Sequence, residues 1–443
     1  MGDTEIKEIP RLGSWFKLPN LLKMKNEGRL FFQELFNEQD GNVIKVELME
    51  STIMVRDSIA AKYLFDPEYI TKGCILGFAG VSYNHCMTKG RYPSIFCNGA
   101  DHDEKKENSL KVFHQRFGEI KVADMNKIVQ GGFESFNDLK EGDDFEVAVD
   151  KMAFHFNAFL VLGKVIPDHA NYRDWFERCI RPDLKQKLLW PFLYKHDERV
   201  TEEVFRQVSE TPTIKNLEKI APNMTDTKEG STLDLMFNTY FNGSPLLGKY
   251  AISCLARYVD SLTDEERQSL KAEADHFLEQ DPSQYDESFE GLELINSFVL
   301  EVLRLNPVHI TGTYGKARKD FVMESKTGRY QIYKDDLITD CVMEMHRDPS
   351  VFEEPSKVKL TRDNQKVKEN LVNFGGPWLQ ESTSTNRKCP GQNMMYMGLK
   401  LFVIHLTRST FDVKSDLTYT GKNPKRGYGT DIPVVMKKFA YNK

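Results

Sequence analysis

With 443 residues, 40% of them apolar and 28% charged, the chain has the make-up of a soluble globular protein large enough for one big packed core. Its net charge of −6 is spread as interspersed signs, which leaves no basic face for nucleic acid. Seven cysteines (Cys74, Cys86, Cys97, Cys179, Cys254, Cys341 and Cys389) stand singly without any CxxC, which argues against a disulfide framework or a structural zinc site and fits a reducing compartment.

The start, MGDTEI, carries Gly2 but has Ile6 where a myristoylation signal needs Ser or Thr. No signal or transit peptide pattern opens the chain, and no apolar run reaches the roughly 18 to 20 residues of a membrane span. A cytoplasmic location is expected. The segment WFKLPNLLKMK (Trp15 to Lys25) is apolar with basic punctuation. It is open to two readings: packing on the domain, or peripheral contact with a membrane surface.

Val43 to Asp57, rich in β-branched residues, predicts a pair of strands. Helical patterns dominate from Ala100 onward, as in ADHDEKKENSLKVFHQRF, TEEVFRQVSETPTIKNLEKIA and DEERQSLKAEADHFLEQ. RYQIYKDDLI (Arg329 to Ile338) is a strand-turn pattern, and Phe411 to Phe439 returns to short strands. Without a repeat or a linker, the expectation is one domain over 1–443, mainly α with small β-sheets, the β part lying at the two ends.

Two helices invite closer reading. Thr232 to Val259 is nearly all apolar or small, with Ser231 as its expected cap. At 1.5 Å per residue it runs roughly 40 Å, so it must cross the core. Pro245 in its middle removes a backbone hydrogen bond and predicts a kink, which serves either packing or a ligand. In Glu293 to Pro307, the residues Ile295, Phe298, Val299, Val302 and Leu303 form one stripe. Glu301 and Arg304 are neighbours on that helix, and charges among apolar residues need partners.

Cys389 stands between Arg387-Lys388 and Pro390-Gly391, at the start of a helix whose expected buried stripe is Met395, Leu399, Phe402 and Leu406. A helix start and nearby cations favour thiolate over thiol. A thiolate is a nucleophile or a metal ligand. The first use needs a base that sequence cannot place, so a cysteine hydrolase stays open. The second points to haem, where one cysteine suffices because the macrocycle supplies four donors.

Several segments together resemble a cytochrome P-450. Glu301-x-x-Arg304 resembles its buried Glu/Arg pair. His346 to Asp363 (HRDPSVFEEPSKVKLTRD) resembles its meander, with Arg362 as the third member of the network. Arg387-x-Cys389-x-Gly391 resembles the second half of the haem-ligand signature, and HDEKK (His102 to Lys106) the helix that meets the haem propionates. The resemblance implies the P-450 fold and haem b, with Cys389 on the iron and His102, Lys106, Arg387 and Gly391 around the haem.

The departures point to one branch. Where the superfamily has Phe and Gly before the cysteine, this chain has Ser382 and Thr385, and the nearest candidate phenylalanine, Phe374, is fifteen residues upstream. The loop is therefore longer, around PWLQESTS, and ends in Asn386-Arg387-Lys388-Cys389. Such an insertion, and the segment from Thr313 to Ser325, resemble the fatty-acid-hydroperoxide clan: allene oxide synthase, hydroperoxide lyase, epoxyalcohol synthase and divinyl ether synthase. In that clan's pattern Asn238 falls on the asparagine that reaches toward the peroxide, with Asn242 as the other candidate. Pro245 falls where a monooxygenase has its proton-relaying Thr. Phe241 and Asn242 replace the clan's Gly-Gly. Ile70 or Thr71 falls near the position whose aromatic residue goes with the allene oxide outcome.

The implied substrate is a polyunsaturated fatty-acid hydroperoxide, cleaved homolytically without dioxygen, NADPH or a reductase. Rebound of hydroxyl gives an epoxyalcohol, proton loss an allene oxide, and carbon–carbon cleavage aldehydes. Lack of an aromatic residue at Ile70 or Thr71 favours epoxyalcohol synthase or lyase over allene oxide synthase, and epoxyalcohol synthase is the reading preferred. A reductase-dependent monooxygenase and a non-catalytic haem sensor or carrier are the competing readings.

Overall fold

In the computed structural model the described residues are 5–442, apart from 39–40, 49, 72–92, 142, 181–197, 223–226, 286–288, 290, 309–313 and 416–433. The strands are β1 (Ile6–Lys7), β2 (Arg11–Leu12), β3 (Val43–Glu47), β4 (Ser51–Val55), β5 (Ile70–Thr71), β6 (Tyr314–Ala317), β7 (Phe321–Ser325), β8 (Gly328–Ile332), β9 (Leu337–Asp340), β10 (Val372–Asn373), β11 (Gly376–Pro377), β12 (Ser409–Ser415) and β13 (Val434–Tyr441). The expected strand pair is present as β3 and β4, in antiparallel register with Val43 opposite Val55.

The β part is not confined to the chain ends. One six-stranded sheet has the order β2-β3-β4-β9-β6-β5, so N-terminal strands are bonded to strands from 314–340. The reason lies in the side chains. Val43, Ile53 and Val55 enter one core cluster, whereas Ile44, Val46 and Met54 enter another. Successive residues of a strand face opposite ways, so this sheet separates two apolar layers. A lone hairpin could cover neither, and β4 gains a parallel neighbour in β9.

The helices that position the site are α1 (Lys17–Glu27), α2 (Gly99–Glu119), α3 (Val122–Phe136), α4 (Phe145–Leu162), α5 (Lys228–Phe241), α6 (Gly248–Asp260), α7 (Asp264–Glu279), α8 (Glu293–Leu305) and α9 (Gln392–Thr407). Local chemistry marks their ends. Asp144 caps α4 by accepting from the N–H groups of Glu146 and Val147 at 3.1 and 3.3 Å. Thr263 and Glu266 form a capping box at α7. The expected stripes of α8 and α9 are buried, but so are Leu300, Leu305, Leu401 and Ile404 off those stripes. Both helices run through the main core rather than along its edge, so single-stripe reasoning underestimates their burial.

The long central helix is α5, a π turn at Asn242–Leu247, and α6. Pro245 has no N–H for the α ladder, and the helix widens there. Helix α4 packs closely across this turn: a Cβ on Gly243 would lie 3.2 Å from Phe154 Cα and Asn157 Cβ. The start of α5 differs from the expected one. It lies at Lys228, and Thr227 Oγ1 accepts the Gly230 N–H at 3.0 Å. Ser231 is one turn inside and buried, so Thr227 and not Ser231 makes the capping bond. Among the described residues no helix is long and apolar enough to cross a membrane.

Candidate functional site

Cys389 is held from both sides of its own loop. Its N–H donates to Phe374 O at 2.7 Å, and the Gly391 N–H donates to Sγ at 3.4 Å. Phe374 and Gly375 form the two-residue turn between β10 and β11, with φ of +56° and +75°. Both central residues at positive φ suit the twist of a tight hairpin, and glycine is the residue that adopts such angles without strain. Gly375 has a second constraint: a Cβ there would lie 2.3 Å from Arg387 O. The turn therefore presses directly on the residues before the thiol.

The polar insertion is tied down rather than loose. Trp378 is buried against Phe374 and Tyr396, with ring centroids 5.8 and 5.3 Å away. Ser382 Oγ donates to Lys388 O at 2.6 Å, and Asn386 Nδ2 donates to Glu381 O at 2.8 Å. Lys388 is buried, and its Nζ donates to Asn373 O, Gly376 O and Pro377 O at 3.2, 3.3 and 2.6 Å. One ammonium thus locks the hairpin and the insertion together. Burial pushes its pKa down to about 7, against the pull of Cys389.

Basic residues of α2 and of the loop itself meet beside the thiol. His102 and Lys106, one turn apart, are both buried. Lys106 Nζ donates to Asn386 O and, at 3.0 Å, to Asn386 Oδ1. Arg387 Nη2 donates to Cys97 O and Asn98 Oδ1 at 2.8 and 2.9 Å, while its buried Nη1 has no partner among the described residues. Burial dominates every shift: His102 falls to about 4, helped by Arg387, Lys106 to about 8, and Arg387 to about 10. Burial likewise raises the Cys389 thiol, opposed by the Gly391 N–H, Lys388 and Lys106. Positive groups gathered out of water in this way call for an anion.

The charged network reaches the same hairpin. Arg304 is bidentate to Glu301 at 2.7 and 2.8 Å, and Arg362 Nε donates to Glu301 Oε1 at 3.2 Å. Arg304 also donates to His346 O, Pro355 O and Lys357 O at 2.9, 2.6 and 3.0 Å, which ties α8 to the meander. His346 carries the connection onward. Its Nδ1 bonds Arg304 O at 3.0 Å, and its Nε2 accepts the Val372 N–H at 2.9 Å. Burial and the Arg304 charge depress its pKa to about 3, so the ring is neutral and can play both roles. Asn373 Nδ2 donates to Leu303 O at 3.1 Å. The network and the Cys389 loop therefore share β10.

On the central helix, Asn238 is half-buried and its Nδ2 donates to Asp234 Oδ2 at 3.3 Å. Phe241 stacks on Phe237 with centroids 5.2 Å apart and meets Phe176 at 6.1 Å. The side chains of Asn242 and Pro245 lie outside what the structure describes, as does the loop from Lys72 to Phe78. Ile70 is buried in the sheet core, beneath Gly315, and Thr71 completes β5. The structure thus places these two residues on the sheet edge. Sequence reasoning overlooked Asp234, His346 and the bonding role of Asn386. An acid four residues before Asn238 in an apolar run was a readable signal for the first.

Among the described residues, no three His, Cys, Asp or Glu side chains are placed to hold a bare metal ion. One thiol, the buried Lys106 and a half-buried Arg387 with an orphaned nitrogen instead fit haem b: Cys389 Sγ would take the iron, and Lys106 and Arg387, with the neutral His102 beside them, the two propionates.

A cytochrome P450 family model matches residues 262–427. The chain is 25% identical over 393 residues to the chloroplastic fatty acid hydroperoxide lyase of Solanum lycopersicum, covering 80% of each chain. It is 30% identical over 178 residues to a divinyl ether synthase of Selaginella moellendorffii (37% of this chain, 36% of that protein). It is 26% identical over 200 residues to the chloroplastic allene oxide synthase of Arabidopsis thaliana (42% and 37%). Among solved structures, retinoic-acid-bound cyanobacterial CYP120A1 is similar with a TM-score of 0.71 at 17% identity, covering 99% of this chain and 100% of that one. Ligand-free cytochrome P450 OleT gives 0.67 at 15% identity, covering 98% and 99%. At such identities the structural likeness speaks for the fold.

Proposed function

Because the chain belongs to the cytochrome P450 superfamily, in the clan of the fatty-acid hydroperoxide lyases and allene oxide synthases, we propose that it is a single haem-thiolate domain that rearranges polyunsaturated fatty-acid hydroperoxides. Within that clan we assign it to the epoxyalcohol synthases, with hydroperoxide lyase and then allene oxide synthase as the alternative outcomes. Haem with a thiolate ligand supplies cleavage of the substrate's O–O bond, so no reductase partner is required. The observation that supports this reading is the π turn of the central helix at Asn242–Leu247, together with Pro245, which the sequence resemblance aligns with the proton-relaying hydroxyl of a monooxygenase. A proline side chain neither donates nor relays a proton.

The chain's own residues then bind and orient. The Asn238 amide offers hydrogen bonds to the hydroperoxide group. Phe237, Phe241 and the buried apolar residues of α5 give that amide an apolar setting, in which a hydrogen bond counts for more than in water. Purified protein given a fatty-acid hydroperoxide alone is expected to consume it catalytically, with epoxyalcohols as the main product. Hydroperoxide left intact, with oxidation appearing only on addition of NADPH and a reductase, would identify a monooxygenase. Loss of one equivalent and no more would identify a sensor or carrier.

The N-terminal segment supports peripheral membrane contact. Trp15, Phe16, Leu18 and Leu22 are 75, 76, 66 and 50% exposed, an apolar cluster around the start of α1. Sedimentation with anionic phospholipid vesicles checks this. Trp15→Ala/Phe16→Ala should reduce the bound fraction several-fold with turnover of micellar-free substrate unchanged, and equal sedimentation of both proteins would dismiss the contact.

A further inference from the structure

Asp234 is a carboxylate in the middle of a core helix, where it caps nothing. It is buried, and burial raises its pKa. Such a group is costly unless its hydrogen bonds are made, and here they are made from two other segments. The Ser94 N–H donates to Oδ1 at 2.7 Å; the hydroxyls of Ser109 and Ser94 lie 2.8 and 3.2 Å from Oδ2. The remaining bond is the one from Asn238 Nδ2. Asn108 and Ser231 line the same small cavity, so the carboxylate sits in a polar enclave within apolar packing.

The location connects this enclave with the thiol loop. His102, Lys106 and Ser109 stand at i, i+4 and i+7 on α2, which is one helical face. Its first turns bond the Asn386 side of the Cys389 loop through Lys106, and the next turn bonds Asp234 through Ser109. Helix α2 therefore sets the central helix and the thiol loop relative to one another.

We propose that Asp234 is a positioning residue for Asn238: its carboxylate, clamped by Ser94 and Ser109, fixes the rotation of the Asn238 amide and so the way the hydroperoxide group is held. Oδ1 of Asp234 accepts from the Ser94 N–H and Oδ2 from the Asn238 NH2. The NH2 end of Asn238 therefore faces Asp234, leaving the amide oxygen and the second N–H for the substrate. This inference rests on the hydroperoxide reading of Asn238 given above and adds the group that orients it.

Asp234→Asn is the test. The new amide has one acceptor oxygen, which the Ser94 N–H claims. Its NH2 then turns toward Asn238, whose amide must flip and present its NH2 outward. Expected results are retained haem content and spectrum, a fall in kcat of roughly tenfold, the size of one hydrogen bond, and a changed ratio of epoxyalcohol to aldehyde. The haem-absorbance titration with a non-reactive hydroxy-octadecadienoic acid should weaken by a similar factor. In an Asn238→Ala background, Asp234→Asn should change the rate and product ratio by less than about twofold, because its effect runs through the missing amide. Wild-type rate and product ratio in Asp234→Asn would overturn the assignment, as would an equal loss in both backgrounds. Should Asp234→Asn fail to fold, Ser109→Ala loosens the same clamp; an unchanged product ratio and titration there overturns the assignment too. If Asn238→Ala is itself fully active, the reading of Asn238 fails first and Asp234 falls with it.

Discussion

Cys389→Ala should yield protein that has lost the red-shifted ferrous–CO band of a thiolate haem, with hydroperoxide turnover at background. The sulfur is the one atom of the site that no neighbour can replace. Lys106, Arg387 and Lys388 are cations, His102 lies across on α2, and the Gly391 N–H that supports Sγ has nothing to bond once the sulfur is gone. The surrounding loop should survive, because its anchors are backbone groups: Cys389 N–H to Phe374 O, and Lys388 to three carbonyls of the hairpin. The expected outcome is a folded protein with altered or absent haem. Absorbance of the purified protein before and after reduction under CO checks it, and circular dichroism confirms folding. A normal band in the variant, or a wild-type protein loaded with zinc and free of haem, would refute the assignment. Arg387→Ala should instead keep the band and lower haem occupancy, since it removes an anion partner and leaves the sulfur in place.

The local geometry was legible where it rests on neighbouring residues. Cys389 before a helix and Glu301 and Arg304 three apart are spacings that one helix turn brings together, whereas His102 and Lys106 were picked out by the resemblance alone. Bonds between distant segments were not legible. Nothing in the sequence pairs Ser94 and Ser109 with Asp234, or His346 with Val372, because those contacts follow from tertiary packing. The sheet shows the same limit. Its β3–β4 hairpin could be read from β-branched content, whereas its pairing with β9 depends on burying two faces at once. The insertion read only as a longer loop because its organising groups, Trp378 and Lys388, act through a hairpin whose turn geometry only coordinates show.

Arg304→Ala should cost about 3–5 kcal/mol, the penalty for breaking a buried ion pair and leaving one charge behind. Against a total stability of about 5–15 kcal/mol that is enough to leave little folded holoprotein. The geometry argues for the upper part of the range. Arg304 is 0% and Glu301 1% exposed, so water cannot screen the orphaned carboxylate. Three carbonyls, of His346, Pro355 and Lys357, would lose their donor at the same time. Those carbonyls also explain why substituting both charges with leucine should not rescue stability, as it can for a simple buried pair: the carbonyls would remain unsatisfied. Arg362→Ala should be milder, because Arg362 gives Glu301 one bond at 3.2 Å and its own Nη2 is unpaired among the described residues. The loss should be felt at the thiol as well. The Arg304 guanidinium donates to His346 O, the His346 ring holds the Val372 N–H, and the hairpin that follows carries the oxygen to which the Cys389 N–H donates. Haem content should therefore fall at lower urea concentrations than helical signal in Arg304→Lys, which keeps the charge but loses the planar fork. Urea titrations followed by haem absorbance and by circular dichroism measure the two separately. Wild-type midpoints for Arg304→Ala by both probes would show that the network contributes nothing to the fold, and coincident midpoints for Arg304→Lys would show that it is not linked to the haem loop.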